Sequence, residues 1–368
     1  MLESLGLTDG RPMAVRPRRR PAAADRRFGR VGAVPLGGIS ANRGLCCALI
    51  VVALALIAAG GSAAAPAGGL RRLAVVSLER ADQVVFVDLA RGRVLRRLAV
   101  APGPHNLDAT GDGRIVAVTS PPSGRVTILD GRRLRVLRVI SGFRSPHDVK
   151  LSPDGRTAYV VEEARGTLAV LDTGTGRVLR RLPVGAGAHD VAVGDLAWVT
   201  HGSRDVPLTL LSLYPRPRQP TPVGRTLAAG GPAHDIDRAP DTADVFVTYW
   251  DSGVVARIRT GGRSGHVLWR RRVGTLTHHL AFDSYSGHRL WVTDRAGRVL
   301  LLSADTGRTL RSFAGCPGPH HVAVLSSRAA VAACNASGTL AVFDAANGRV
   351  RSLPVGRGPH DLAVVQVP

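Results

Sequence analysis

The chain has 368 residues, 45% of them apolar but only 4% aromatic, and a formal charge of +22. That apolar fraction excludes a disordered chain, and the length can bury the core of one large domain or two small ones. The 43 glycines and 24 prolines, set among β-branched runs such as Val84–Leu89 (VVFVDL) and Thr167–Asp172 (TLAVLD), argue against helices and for many short strands joined by tight turns.

Residues 1–44 carry nine arginines against three acids, and Leu45–Ala59 (LCCALIVVALALIAA) is an apolar run that ends in small residues. This is the layout of a signal peptide. The run is short for a membrane span, which needs about 20 residues, although an uncleaved N-terminal anchor is the alternative. Cys46 and Cys47 open the run, whereas a lipoprotein cysteine would have to follow it, so no lipid anchor is expected. Met13 offers a second start. The expected division is residues 1–65 as leader and 66–368 as a single domain, exported and therefore secreted, periplasmic or at the cell surface.

Without its leader the domain keeps a charge of about +16. In an exported protein that balance points to anionic cell-envelope material as a partner rather than nucleic acid. The structural alternative is compositional: arginines recur as GRVLRRL at Gly92–Leu98 and Gly176–Leu182, alternating with apolar residues on outer strands, and Lys150 is the single lysine. A monomer is expected.

Self-alignment organises the rest. A Pro-His-Asp phrase or a close copy recurs with its histidine at His105, His147, His189, His234, His278, His320 and His360, at intervals of 42, 42, 45, 44, 42 and 40 residues. Periods of this size mark propellers and solenoids. The best-formed unit, Ser145–Gly185, splits at Pro-Asp-Gly, Ala-Arg-Gly and Thr-Gly-Thr-Gly into four apolar runs, which is one propeller blade. Arg72–Val100 aligns with the last three of those runs, and the C-terminal HDLAVV supplies only a first. Joined, the two ends complete a blade. The expected fold is all-β: a seven-bladed β-propeller of four-stranded antiparallel blades, closed by the C-terminal strand, with no sheet edge left open at the joint.

Pro153-Asp154-Gly155 followed by AYVVEEARGTLAVLDTGTGRVL, with AWVTHG, VFVTYW and LWVTDR further on, resembles the YVTN-type, YncE-like β-propeller repeat family over residues 71–368. The resemblance implies an exported scaffold of binding function. Lactonases and a lyase are also known among related seven-bladed propellers. It further implies that the loop entering the innermost strand and the loop between the second and third strands open on one face.

All seven histidines then share one rim. Facing sheets pack about 10 Å apart, so the inner strands would lie on a circle of roughly 11 Å radius and the imidazoles around an opening of roughly 5 Å. One zinc, with Zn–N near 2.0–2.1 Å, cannot reach all seven, so a multinuclear site, a metal held by a subset, or a small anion is expected. Imidazole-only ligation favours copper, with zinc and nickel next. The arrangement is similar to the seven-histidine copper cluster of nitrous oxide reductase, but no cupredoxin domain follows, and the reductase activity does not carry over.

Aligned positions on the second rim loop add Glu162, His201, Tyr249, Asp294 and Cys334, with Trp250 and Asp251 adjacent. Glu162 and Asp294 are the carboxylates that a lactonase- or lyase-type enzyme would need beside a divalent ion. Against these readings stands a structural one. In WD-type propellers a junction histidine hydrogen-bonds neighbouring loops, and His147 precedes Asp172, as His105 precedes Asp130, by the interval of that motif. The residue after each histidine, Asn106, Asp148, Asp190, Asp235, His279, His321 or Asp361, should point to the opposite face and reach a histidine only across a blade boundary. Crowded, buried imidazoles should all resist protonation. His266 and His288 fit no repeat position and are expected at the surface. Cys316 and Cys334 are expected to form a disulfide, with copper ligation as the alternative. No motif names a catalyst.

Overall fold

The computed structural model describes residues 70–202, 208–212, 221–223, 231–240, 242–261 and 264–368. The basic leader, its apolar run and Cys46 and Cys47 lie outside the described residues, and no helix among those described is long and apolar enough to cross a membrane.

The strands pair into seven four-stranded antiparallel sheets. In the blade that carries His147 the strands run Pro146–Leu151, Thr157–Glu162, Thr167–Asp172 and Val178–Pro183, from the channel outward. Its turns follow from its residues. At Pro153-Asp154-Gly155, the Asp154 carboxylate accepts from the Ser152 hydroxyl and the Arg156 N–H, and Gly155 takes a positive φ of 71°. A Cβ at Gly155 would also come within 2.8 Å of Thr110 in the preceding blade, so this turn needs glycine on two counts. At the next turn Asp172 accepts the Thr175 N–H at 2.7 Å.

Pro359–Val367, at the C-terminal end of the chain, pairs antiparallel with Arg71–Leu78, in a register that sets Leu73 opposite Val365 and Val76 opposite Leu362. Gln83–Asp88 and Arg93–Ala99 complete that sheet. The last strand thus forms the channel side of a blade whose other three strands come from the first thirty residues of the fold.

The core lies between blades. Leu78, Val85 and Leu362 of the closing blade pack with Val331 and Leu340 of the His320 blade. Phe313 of the His278 blade meets Phe343 of the His320 blade at 5.3 Å between ring centroids. Each fully buried side chain of this size contributes about 1.5–3 kcal/mol, so the inter-blade packing stabilises the array as a whole. Outer strands are different: Arg135–Ser141 is exposed along most of its length, including Val136, Leu137 and Val139.

Candidate functional site

Six of the seven innermost strands are irregular where the histidine falls; the seventh, Leu107–Ala109, begins after His105 and pairs regularly. Register shifts fall at Pro146/Val149, Ala188/Val191, Ala233/Ile236, Thr277/Leu280 and Pro319/Val322, bracketing the His-Asp or His-His pair, and the closing blade shifts opposite Val76/Leu78. A bulge breaks the strand's alternation. The expectation that the residue after each histidine reaches a histidine only across a blade boundary is therefore corrected at Asp190: Oδ2 lies 3.3 Å from Nδ1 of His189, its own chain neighbour, while Oδ1 lies 3.3 Å from Nδ1 of His147 across the boundary.

The seven imidazoles converge on the channel axis. Going round, ring centroids are 4.6 Å apart for His105–His147, 3.8 Å for His147–His189, 4.4 Å for His189–His234, 4.3 Å for His234–His278, 4.6 Å for His278–His320, 4.6 Å for His320–His360 and 3.7 Å for His360–His105. The circle closes. A heptagon of such sides has a circumradius of roughly 5 Å, beyond the 2.0–2.1 Å reach of one central ion to seven nitrogens. These histidines border a cavity of about 280 Å³ that Glu79, Trp250 and Arg295 also line.

The WD-type junction contact is not formed. Asp172 binds the Thr175 N–H, and Asp130 binds the Arg132 and Arg133 N–H groups and the Arg133 guanidinium.

What holds the ring is a hydroxyl that sequence reasoning missed. Ser77, Thr119, Thr200, Thr248 and Thr293, each on a second strand, donate at 2.5–2.7 Å to the carbonyls of His105, His147, His234, His278 and His320 in the following blade. The same hydroxyls accept at 2.9–3.2 Å the N–H of Asp361, Asn106, Asp190, Asp235 and His279 in their own blade. The chain at His105, His234 and His278 is thus fastened on both sides. The signal was visible as the threonine of VTS, VTH, VTY and VTD at one repeat position.

A second tier lies below the imidazoles. Asp148, Asp235 and Asp361 each accept a backbone N–H from the next blade, from Val191, Leu280 and Leu107. Burial raises the pKa of Asp148 and Asp235, and brings that of Asp361 to about 6. Lys150, partly exposed to the channel, sits 3.4 Å from Asp148 Oδ1. Burial works against its charge, but Asp148 and Asp108 outweigh burial and hold its ammonium well above the usual range. His279 and His321 stack at 3.8 Å between centroids, and His321 Nδ1 is 2.7 Å from Asp361 Oδ1.

Asp190 departs from this pattern. Its oxygens face His147 and His189, and Asn106 Nδ2 lies 3.3 Å from Oδ1. Burial would raise its pKa, but the charge of His189 and the hydrogen bond from His147 hold it well below the carboxylate range. Protonation of the ring divides accordingly. Burial, with repulsion between neighbouring imidazoles, pushes His105, His234, His278 and His360 well below the usual range. Burial and the charge of Arg295 bring His320 to about 4. His147 corrects the expectation of uniform resistance: burial opposes its charge, but the Asp190 hydrogen bond prevails and its pKa is raised. Among the described residues, His147, His189 and Asp190 form the group whose ligand atoms all lie within 4.8 Å of one another.

The accessory rim positions prove to be clamps on the loop that enters the innermost strand. All of the Glu162 contacts are internal: Arg144 N–H, Arg165, Thr167 and Arg181. His201 Nδ1 meets the Ala186 carbonyl at 3.0 Å, and Asp294 accepts the N–H groups of Thr275, Leu276 and Ala296. Cys334 is bonded to Cys316, so the expected disulfide does the same work covalently and neither sulfur is free for copper. Tyr249 is fully buried. The side chains that reach the mouth stand one residue further on: Glu79, Trp250, which stacks on His234 at 5.7 Å, and Arg295. His266 and His288 are exposed, and His288 pairs with Asp305.

Fold and site together define a β-propeller whose channel mouth is closed by a ring of imidazoles. No known family model matches the sequence and no curated protein matches it, so the narrower YVTN-type resemblance gains no support from either comparison. Solved structures do match. A functionally unknown protein from Desulfotomaculum acetoxidans is 16% identical, with a TM-score of 0.69 over 80% of this chain and 98% of that one. The periplasmic gluconolactonase PpgL of Pseudomonas aeruginosa is 22% identical, with a TM-score of 0.66 over 82% of this chain and 100% of that one. The β-propeller domain of Cps50 (Swd1) from Myceliophteria thermophila is 14% identical, with a TM-score of 0.58 over 69% and 88%. At these identities the likeness is one of fold.

Proposed function

We propose that this is an exported β-propeller that binds a transition-metal ion at its ring of seven histidines, with copper first and zinc or nickel next by the chemistry of the donors. One observation carries the proposal: the imidazoles form a closed circle, and the buried Nδ1 atoms of His105, His234, His278, His320 and His360 have no hydrogen-bond partner. Buried polar atoms are ordinarily paired, and a set left unpaired at one mouth calls for a ligand. Those imidazoles are held neutral, the form that donates a lone pair to a metal. One chain supplies the whole circle, so a monomer suffices.

A lactonase- or lyase-type activity lacks its carboxylates at the positions nominated for it, because Glu162 and Asp294 are spent on loop backbone and arginines. A binding role toward anionic cell-envelope material is favoured by the exposed arginines of the outer strands, such as Arg135, Arg180 and Arg181. Retention on anionic wall polymer that falls with salt and ignores chelators would belong to that role.

The test is metal content. Protein reconstituted with copper is dialysed and assayed by elemental analysis beside a variant with His147, His189 and His234 changed to alanine. Stoichiometric copper in the parent, lost in the variant, is the expected result; no bound metal in either sample refutes the proposal.

A further inference from the structure

The ring is not seven-fold symmetric in its chemistry. At the His147–His189 edge a carboxylate lies under the rings, with Asp190 Oδ1 at 3.3 Å from His147 Nδ1 and Oδ2 at 3.3 Å from His189 Nδ1. His234 Nδ1 is 4.0 Å from the same Oδ2. The His189 carbonyl is a second acceptor for His147 Nδ1, at 3.2 Å. Two acceptors and no donor face that nitrogen, so it carries the proton, and its neutral tautomer leaves the lone pair on Nε2. At His189 the Asp190 oxygen lies 3.3 Å from Nδ1 without forming a hydrogen bond, and acts there as a nearby negative charge.

The rest of the ring is the converse. Nδ1 of His105, His278, His320 and His360 is buried and faces no acceptor. A proton placed there would lose its hydrogen bond entirely, at a cost of about 1–3 kcal/mol. The tautomer that keeps N–H on Nε2 leaves the Nδ1 lone pair unpaired instead. Those four rings therefore have no partner that fixes an Nε2 lone pair toward the mouth.

We propose that Asp190 selects where the first ion binds: off the channel axis, on Nε2 of His147 and His189, with Asp190 as the positioning carboxylate beneath them. A carboxylate behind a ligating imidazole fixes the ring's tautomer and orientation and raises its basicity. The roughly 5 Å radius of the circle, against a 2.0–2.1 Å metal–nitrogen bond, independently places a first ion at an edge rather than at the centre. The local sequence agrees. Asp148, Asp235 and Asp361 hold the N–H two residues past the next blade's histidine, whereas Asp190 is turned toward the ring imidazoles; the Asn106 amide lies 3.3 Å from both Asp148 and Asp190. Imidazole nitrogen with a supporting carboxylate suits a divalent ion, Cu(II) or Zn(II), over Cu(I).

This inference rests on the metal-binding function proposed above, and the experiment separates the two. Full-length apoprotein, labelled with ¹⁵N in histidine, is studied beside its Asp190→Asn variant. Long-range ¹H–¹⁵N spectra assign each tautomer. Titration with CuSO₄, followed by calorimetry and electron paramagnetic resonance, gives the first-site affinity and its nitrogen couplings. The expected result is an Nδ1–H tautomer at His147 in the parent, held in both proteins by the His189 carbonyl, with first-ion affinity weakened by about 10–100-fold in Asp190→Asn. His189→Ala should weaken that first ion more than His320→Ala, on the far side, does. Equal first-ion affinity in parent and Asp190→Asn, or an Nε2–H tautomer at His147 in the parent, overturns the off-axis site while leaving the ring. A parent that binds no copper overturns both. The tautomer measurement needs no metal, and the spectra show directly whether Asp190→Asn is folded.

Discussion

Changing Thr248 to valine removes one oxygen from a fully buried position and nearly preserves shape. The hydroxyl donates to the His278 carbonyl at 2.7 Å and accepts the Asp235 N–H at 3.0 Å, so one atom joins two blades. A buried hydrogen bond contributes about 0.5–1.5 kcal/mol net, and a buried group left unsatisfied costs about 1–3 kcal/mol. With a carbonyl and an N–H both orphaned against a methyl group, the expected loss is about 2–4 kcal/mol. The assay is urea unfolding followed by far-ultraviolet circular dichroism, with Thr248→Ser as the partner variant that retains the hydroxyl. Serine should recover most of the loss. Two blades carry Val161 and Ala333 at this position, so the variant should still fold. A valine variant within about 0.5 kcal/mol of the parent would refute the view that these hydroxyls fasten the ring.

The stability contributed by the neutral imidazoles should also fall with acid in the absence of metal. His105, His234, His278, His320 and His360 in the ring, with His279 and His321 beneath, all have lowered pKa values, chiefly from burial. The unfolded chain therefore takes up protons below about pH 6.5 that the folded chain refuses, and each such group removes up to about 1.4 kcal/mol per pH unit until its folded pKa is reached. For His320 that window closes at about 4. His147 has the opposite sign, its contribution being present at low pH and lost as pH rises through its raised pKa, and so have the buried Asp148, Asp235 and Asp361. The difference in melting temperature between the parent and His320→Gln, measured from pH 7.5 to 4.5, should therefore shrink with acid, and a constant difference contradicts the neutral ring. Reducing Cys316–Cys334, which closes a loop of 18 residues, should cost about 3 kcal/mol, read as a lower urea midpoint with reductant and matched by the double alanine variant.

Much of the fold was legible because a blade is written in local terms. Pro-Asp-Gly and Thr-Gly-Thr-Gly fix turns through side-chain to backbone bonds a few residues apart, and alternating apolar runs fix strands. Repetition of those phrases located the histidines, since a residue recurring at one position in every unit must recur at one height in the propeller. Closure by Pro359–Val367 was readable too, from the complementary fragments at the two ends.

Side-chain direction was not legible. Strand alternation missed the turn of Asp190 toward its own neighbour His189, because a bulge is a property of two paired strands and leaves no mark on one of them. The clamps misled for a related reason: Glu162, Asp294 and Cys334 differ in chemistry as ligand-shaping residues would, yet each satisfies the same loop backbone, a shared task visible only when the partner is in place. The sequence by itself determined that seven histidines return at one level of a repeated β unit. The tertiary structure alone decided that their rings meet, that Asp190 lies beneath two of them, and that the remaining buried Nδ1 atoms face no acceptor. The closing of the ring depends on contacts between residues forty or more positions apart, which periodicity can align but cannot orient.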